Sequence, residues 1–481
     1  MSERIELKKL TRYERKRFII LTDMENEPDD SQTMVKLLLY SNEIDIEGLI
    51  AVTSCWLQDD NYPESILSRV QAYGIVRENL KLHAKGWPTQ QELLEKIAAG
   101  QKGFGMSDVG DGKSSDGSNL IMRVLKKDDD RPVYFSINAG ANTLAQALWD
   151  LRKTCDEKTL KKCLSKVRVF DDSGQDDSGA WMNQEFPDMF FVRNSPQVYG
   201  LFGPDLNTGP QPWKPLNQFE WAEENVRKRH GILGELFPQR IIHPHFASFP
   251  DNVPPLFFWF MDGGGTTGVL QVLNTGMNDP EQITWGGWGG RFSNKKQKIW
   301  AGESSQNPYI KENKYKWNNM YPSAPDTWFD KKDKILYKDN IFAPLWRFRA
   351  DILFDFQARM DWCVAEYKNA NHHPIASVNG DDGERCILTG NVKAGQVIEF
   401  DASGSSDPDG DNLSLNWWIY NEAGTYGKDV RLVDENEVIV KVHVPEDAKV
   451  GDTIHLILEV FDDCKIVSLK AYRRIVIVIK Q

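Results

Sequence analysis

Phe18-Ile19-Ile20-Leu21-Thr22-Asp23-Met24-Glu25-Asn26-Glu27-Pro28-Asp29-Asp30 is the stretch from which the architecture can be read. Four apolar residues in a row suit a short strand buried on both faces. The run gives way at Thr22 to five carboxylates within the eight residues Asp23 to Asp30, and Met34 to Leu39 then carries helix-period apolar residues. A strand, an acidic loop and a helix in that order place the loop at the carboxyl rim of a sheet, where open α/β folds bind ligands. Crowded carboxylates repel one another unless a cation lies among them, and oxygen donors are what Ca²⁺ takes. The competing reading is a solvated loop whose Asp29 or Asp30 caps the helix, since a helix N-terminus favours an anion.

The alternation continues outward. Ile44 to Val52 predicts a second strand, 63–77 a helix, Val133 to Ile137 a strand followed by the helix Leu144 to Leu151, and Val167 to Phe170 another strand. Strands alternating with helices predict a mostly parallel, Rossmann-like α/β sheet covered on both faces. Irregular stretches at 203–218 and 285–330 interrupt it, and long loops of this kind tend to carry function. A helix from about Ala343 to Tyr367 is expected to close the domain at residue 370. From 371 to 481 short alternating runs, 397–400, 438–444, 454–461 and 475–479, are separated by Gly, Asp and Pro turns. They predict an immunoglobulin-like β-sandwich.

Composition narrows the function. With 58 Lys+Arg against 70 Asp+Glu the net charge is -12, so nucleic-acid and anionic-membrane partners are excluded for want of a basic footprint. No apolar h-region opens the chain and no uninterrupted run of about 18 apolar residues occurs. The chain as given is therefore expected to be soluble and cytoplasmic; a removed secretory signal leaves the same pattern. The six cysteines form no CxxC pair, so zinc ribbons are excluded and reduced thiols expected. Sixteen tryptophans supply flat apolar faces suited to sugar stacking, although core packing accounts for most indoles.

Several pieces in order resemble a known family: TDMENEPDD, LLLYSNEIDIEGLIAVTS, INAGANTLAQAL, VFDDSGQDDSGAW, WGGWGGRF and ARMDWC, then DASGSSDPDGD near the end. The chain resembles the nucleoside hydrolases, and more closely their nucleoside hydrolase-like relatives labelled as cellulose-binding. The resemblance implies a Ca²⁺-dependent, inverting hydrolase of N- or O-glycosidic bonds in a furanosyl or nucleoside-like substrate, or alternatively a non-catalytic carbohydrate-binding protein. Overlaid on the family's D-x-D-x-x-x-D-D, the acidic positions are Asp23, Glu25, Asp29 and Asp30. The resemblance then puts Glu25 and Asp30 on the metal and Asp29 beside the attacking water; a two-residue insertion, which Glu27-Pro28 invites, puts Asp23 on the metal instead. It also implicates the backbone carbonyl of Asn138 and the carboxylate of Asp251. A homodimer is plausible by the same resemblance.

The loop Gln175, Asp176, Asp177 to Trp181 follows a strand and offers hydroxyl partners with an indole, the groups a small carbohydrate or glycoside needs. Trp285 and Trp288, in the Gly-rich run ending at Arg291, are candidates for a second substrate wall. His243, with His245 near it, is a candidate to assist a leaving group. Three other matches fail. Gly263-x-Gly265-x-x-Gly268 meets Gly276 and Pro280 before a proper helix can form, Ser107 stands where a P-loop before Gly112-Lys113-Ser114 needs glycine, and Asp407-x-Asp409-x-Asp411 has Trp418 where an EF-hand needs its bidentate Glu.

Overall fold

A computed structural model describes residues 3–25, 28–172, 174–194, 197, 218–238, 265–297 and 319–481. Strands β1 (Lys8–Lys9), β2 (Lys16–Thr22), β3 (Ile44–Ala51), β4 (Ile97–Ala99), β5 (Val133–Ile137), β6 (Val167–Asp171), β7 (Phe190–Arg193) and β8 (Tyr321–Pro322) come first in the chain. All but β1 form one sheet, in the order β4-β3-β2-β5-β6-β7-β8, and every pairing in it is parallel. Helices α1 (Pro28–Leu39), α2 (Pro63–His83), α3 (Gln90–Leu94), α4 (Asp116–Lys126), α5 (Asn142–Thr154), α6 (Glu157–Ser165) and α7 (Ser178–Glu185) connect the strands. The continuous apolar runs are explained by burial on both faces: Phe18 to Leu21 and Val133 to Phe135 are inaccessible to solvent.

The order reverses between β2 and β5. The chain runs outward from β2 through β3 to β4, then returns to the other side of β2. That reversal opens a crevice beyond the carboxyl ends of β2 and β5, the switch point at which such sheets bind ligands.

The second unit packs a five-stranded sheet against a three-stranded one. It contains β9 (Asp326–Asp330) and β10 (Ile335–Asn340) as a preceding hairpin, then β11 (Leu388–Val392), β12 (Val397–Asp401), β13 (Leu413–Ile419), β14 (Arg431–Val433), β15 (Ile439–His443), β16 (Thr453–Asp462) and β17 (Lys470–Ile479). The five-stranded sheet has the order β1-β11-β17-β16-β13 and the other β12-β15-β14.

Two details depart from the sequence reading. The opening segment belongs to the sandwich side: Lys8 and Lys9 pair with Thr389 and Leu388, Arg4 and Lys9 reach acidic partners on the sandwich, and Ile5 and Leu7 pack on its core. An otherwise open edge of β11 is thereby covered. The single closing helix is two, Ala343–Trp346 and Arg349–Asp361; the second ends where the Asp361 carbonyl accepts from Val364 and Ala365 in a turn.

The two units share a tight seam. Arg474, fully buried, donates Nε to the Met277 carbonyl at 2.9 Å and Nη2 to the Trp285 and Gly286 carbonyls at 2.9 and 2.8 Å. Tyr420 and Tyr472 of the sandwich belong to the same apolar cluster as Phe356 and Met360 of the closing helix. Among the described residues no helix is long and apolar enough to cross a membrane.

Candidate functional site

Asp23, Asn138, Asp172 and Asn194 are the residues immediately after β2, β5, β6 and β7. Ladder bonds hold them in a row: Asn138 N–H donates to Leu21, Asp172 N–H to Ile137 and Asn194 N–H to Asp171 carbonyls. All four are at most 4 % exposed. The carboxyl edge of the sheet therefore presents a polar group from each of four neighbouring strands, spaced about 4.8 Å apart.

The first turn of α1 closes over this row. Thr22 donates its hydroxyl to Asp30 Oδ1, which pins the helix start to the end of β2. Burial, then the charges of Asp23 and Asp29, push the Asp30 carboxyl well above the usual range. From the other side Asn194 Nδ2 donates to Thr267 Oγ1 at 2.6 Å, and Thr267 donates to Asp172 Oδ1 at 3.3 Å. Asp172 is likewise raised, by burial and then by Asp171, and its Oδ2 has no hydrogen-bond partner among the described residues. Asp171 has a counter-cation, Arg193 at 2.9 Å. Thr267 approaches so closely because Gly265 and Gly268 flank it: a Cβ at Gly265 would collide with Asn138 and one at Gly268 with Ser136.

The predicted residues divide. Asp23 and Asp30 interact, with Asp29 beside them at the half-buried start of α1. Gln175 stands at the rim, donating Nε2 to the Asn138 carbonyl at 2.7 Å and accepting from the Cys55 thiol. Asp176 is buried and accepts from the backbone N–H of Asn142 at 3.2 Å and Ser178 at 2.9 Å, so it orders the adjoining loops. Asp177 accepts from Met106 N–H at 2.8 Å.

Four expectations are corrected. Glu25 turns away from the crevice, at a positive φ of 74°, to meet Ser65 Oγ at 2.5 Å and Arg69 Nη1 at 3.1 Å; Asp23, rather than Glu25, lies with Asp30. Trp181 is a core residue, 3 % exposed, packed edge-on against Phe186 and beside Trp149. Trp285 packs edge-on against His455, and Trp288, 4 % exposed, against Tyr472. Those two indoles seal the seam instead of facing the crevice. Asp251, His243 and His245 lie outside the described residues.

Sequence reasoning passed over Asp171, Asp172, Arg193, Asn194 and Thr267. The aspartates carry a signal, a pair at the end of an apolar run in Val167 to Asp172, which the richer acidic loop Gln175 to Asp177 beyond it masks. Thr267 was hidden inside the failed dinucleotide match.

The donors suit a hard cation: they are oxygens, crowded and buried, and Asp172 Oδ2 lacks a partner among the described residues. Among those same residues no three His, Cys, Asp or Glu side chains group as a metal site.

The raised carboxyls make a pH prediction. Burial and then Asp177 push Asp176 up to about 7, whereas an unfolded Asp titrates near about 4. Its contribution to stability is fully present below about pH 4 and is lost as pH rises toward about 7, on the order of 4 kcal/mol. Urea unfolding in chelator should give a lower stability at pH 7.5 than at pH 5, with Asp30, Asp171 and Asp172 acting in the same direction. Equal stability at both values would contradict the burial of these charges.

This sheet order, with its polar switch crevice, defines a nucleoside hydrolase-like protein. The family described as cellulose-binding Sde182, nucleoside hydrolase-like domain, matches residues 17–292, and its companion, the C-terminal domain of cellulose-binding protein Sde0182, matches residues 397–479. The chain belongs to this family. It is similar to a solved structure described as a nucleoside hydrolase-related hypothetical protein from Saccharophagus degradans that is associated with carbohydrate metabolism. The identity is 34 % and the TM-score 0.78, over 97 % of this chain and 100 % of that one. No curated protein matches the chain.

Proposed function

We propose that the crevice is a Ca²⁺-dependent site for hydrolysis of an N- or O-glycosidic bond in a furanosyl or nucleoside-like substrate. The observation that supports this is the crowding of buried carboxylates at the sheet's carboxyl edge: Asp30 lies with Asp23 and Asp29 beyond β2, and Asp172, buried at the end of β6, is near enough to feel the charge of Asp30. Asp23, Asp30 and the Asn138 carbonyl would hold the cation, with Asp251 as the further carboxylate. A bound Ca²⁺ supplies charge that orients a sugar diol and a water together. Asp29, half-buried at the start of α1, would take the proton of a water whose oxygen bonds the anomeric carbon as the glycosidic bond breaks, the leaving group departing with the bonding pair and taking a proton from solvent. The carboxylates of the row offset oxocarbenium-like charge on the sugar. Asp172, buried at the end of β6 and bonded by Thr267, would meet a substrate hydroxyl. Gln175 and Asp177 at the rim meet the rest of the glycoside.

A panel of nucleosides and aryl furanosides, assayed with and without chelator, tests the reading. Release of base or phenol that stops in chelator and returns with Ca²⁺ is the expected result; turnover indifferent to chelator would contradict it. The second reading, cellulose-type carbohydrate binding without catalysis, is favoured by the family's description. It predicts oligosaccharide binding with no reducing sugar released.

A further inference from the structure

Away from the crevice, the seam opens into a groove of about 630 Å³, within the roughly 300–1,000 Å³ of ligand sites. One wall is the end of the β9–β10 hairpin together with Phe348; the other is the outer face of β13 and β16. Strand alternation builds the second wall. Trp417, Leu458 and Val460 point into the sandwich core, so Trp418, Glu459 and Phe461 face the opposite way. The Trp418 indole is already engaged by the protein: its N–H donates to Glu459 at 3.0 Å, and the Arg347 guanidinium lies over the ring, 5.1 Å from its centroid. Trp328, Phe329 and Phe461 supply the remaining aromatic surface, and Phe329 is 49 % exposed.

The charges of the groove are unevenly matched. Its two inner carboxylates are supplied with donors: Lys470 meets Asp351 at 3.1 Å and Glu459 at 3.5 Å, the Tyr472 hydroxyl donates to Asp351, and Asn416 and the Trp418 indole donate to Glu459. Asp330 is buried and accepts from the backbone N–H groups of Lys332 at 2.8 Å and Asp333 at 3.2 Å. The cations are less well supplied. Arg347, deep in the groove, pairs with Asp326 at 3.2 Å, but Arg291 holds the same carboxylate at 2.6 Å. Lys331 and Lys332, both exposed on the groove's lining, have no ion pair among the described residues. The charge left open to a ligand is therefore cationic, and it stands beside flat apolar walls. Such a groove favours an anion with an aromatic body, whose ring takes the aromatic surface while its charge meets the ammonium groups. We propose that the groove is a binding site for a small aromatic carboxylate, the ring between the hairpin's Trp328 and Phe329 and the sandwich's Phe461, the carboxylate on Lys331 and Lys332. The groove shares no residue with the crevice, so its occupancy does not depend on the hydrolytic reading.

Calorimetric titration of the full chain with naphthoate and with its neutral isostere naphthamide tests it, in chelator throughout so that no cation in the crevice takes part. At low salt naphthoate should bind about tenfold tighter than naphthamide, the increment expected of two exposed charges. The margin should narrow as salt screens them. Replacing both lysines, Lys331→Gln with Lys332→Gln, should erase the margin and leave the affinity for naphthamide unchanged; both side chains are exposed, so the fold is not at stake. Phe329→Ala should weaken both ligands about threefold. No binding at millimolar naphthoate, equal affinity for acid and amide in the intact protein, a margin that survives loss of both lysines, or Phe329→Ala with both affinities unchanged would each overturn the proposal. Tighter binding of naphthylmethylammonium would overturn it as well, by giving control of the groove to Asp351 and Glu459.

Discussion

Asp30→Asn is expected to make the chelated protein more stable while abolishing hydrolysis. Asp30 is 3 % exposed, and burial with the charges of Asp23 and Asp29 disfavours its ionised form. An asparagine fits the same volume. Its carbonyl oxygen still accepts from Thr22, and its amide donates toward Asp23, which already lies within hydrogen-bonding reach of Asp30. Replacing a like-charge contact by a hydrogen bond should stabilise the fold by about 1–3 kcal/mol in chelator at neutral pH. The same change removes a cation ligand and a source of transition-state charge, so turnover on the best substrate of the panel should fall by at least about 10³-fold. Calorimetric melting in chelator and initial rates in Ca²⁺ check the two halves. A destabilised variant that keeps its activity would show Asp30 to be structural.

Arg359→Leu should have the largest effect on stability. The guanidinium, 2 % exposed, lies on the helix Arg349–Asp361 and ties it to the end of α1 and the turn that follows. Its Nε meets Asp355 at 3.2 Å, its Nη1 donates to the Leu39 carbonyl at 2.8 Å, and its Nη2 bonds Glu43. Burial alone would raise the carboxyls of Glu43 and Asp355, but Arg359 overrides it and holds both below the usual range. Leucine leaves two buried carboxylates without their main counter-charge, a loss of about 3–5 kcal/mol. The sign with pH is fixed: stability from depressed carboxyls is present above about pH 4 and lost as pH falls. Urea unfolding should therefore show a larger gap between wild type and variant at pH 7 than at pH 4. A gap under about 1 kcal/mol at pH 7 would contradict the account.

How much of this was legible differs from element to element. Phe18 to Leu21 and Val133 to Ile137 announce buried parallel strands because each is a continuous apolar run, and the acidic loop announces the rim because it follows such a run. Glu25 and Asp23 are indistinguishable in sequence; Arg69, 44 residues further on, draws Glu25 away. Trp285 and Trp288 look like sugar platforms until the sandwich packs on them through His455 and Tyr472. Local pattern shows where a side chain leaves a strand, while its facing partner is set by tertiary packing. The opening segment is an instructive miss. Ile5 and Leu7 alternate with Arg4, Glu6 and Lys8 at strand period, a pattern that the charge of the segment obscured.

The central claim is that the carboxylates at the switch point form one cation-dependent site. Calorimetric titration of Ca²⁺ into chelator-stripped protein, beside Asp30→Asn, tests it most directly. One saturable Ca²⁺ site in the wild type and none in the variant is the result predicted. Equal Ca²⁺ binding by both, or no binding by the wild type at millimolar Ca²⁺, would contradict it.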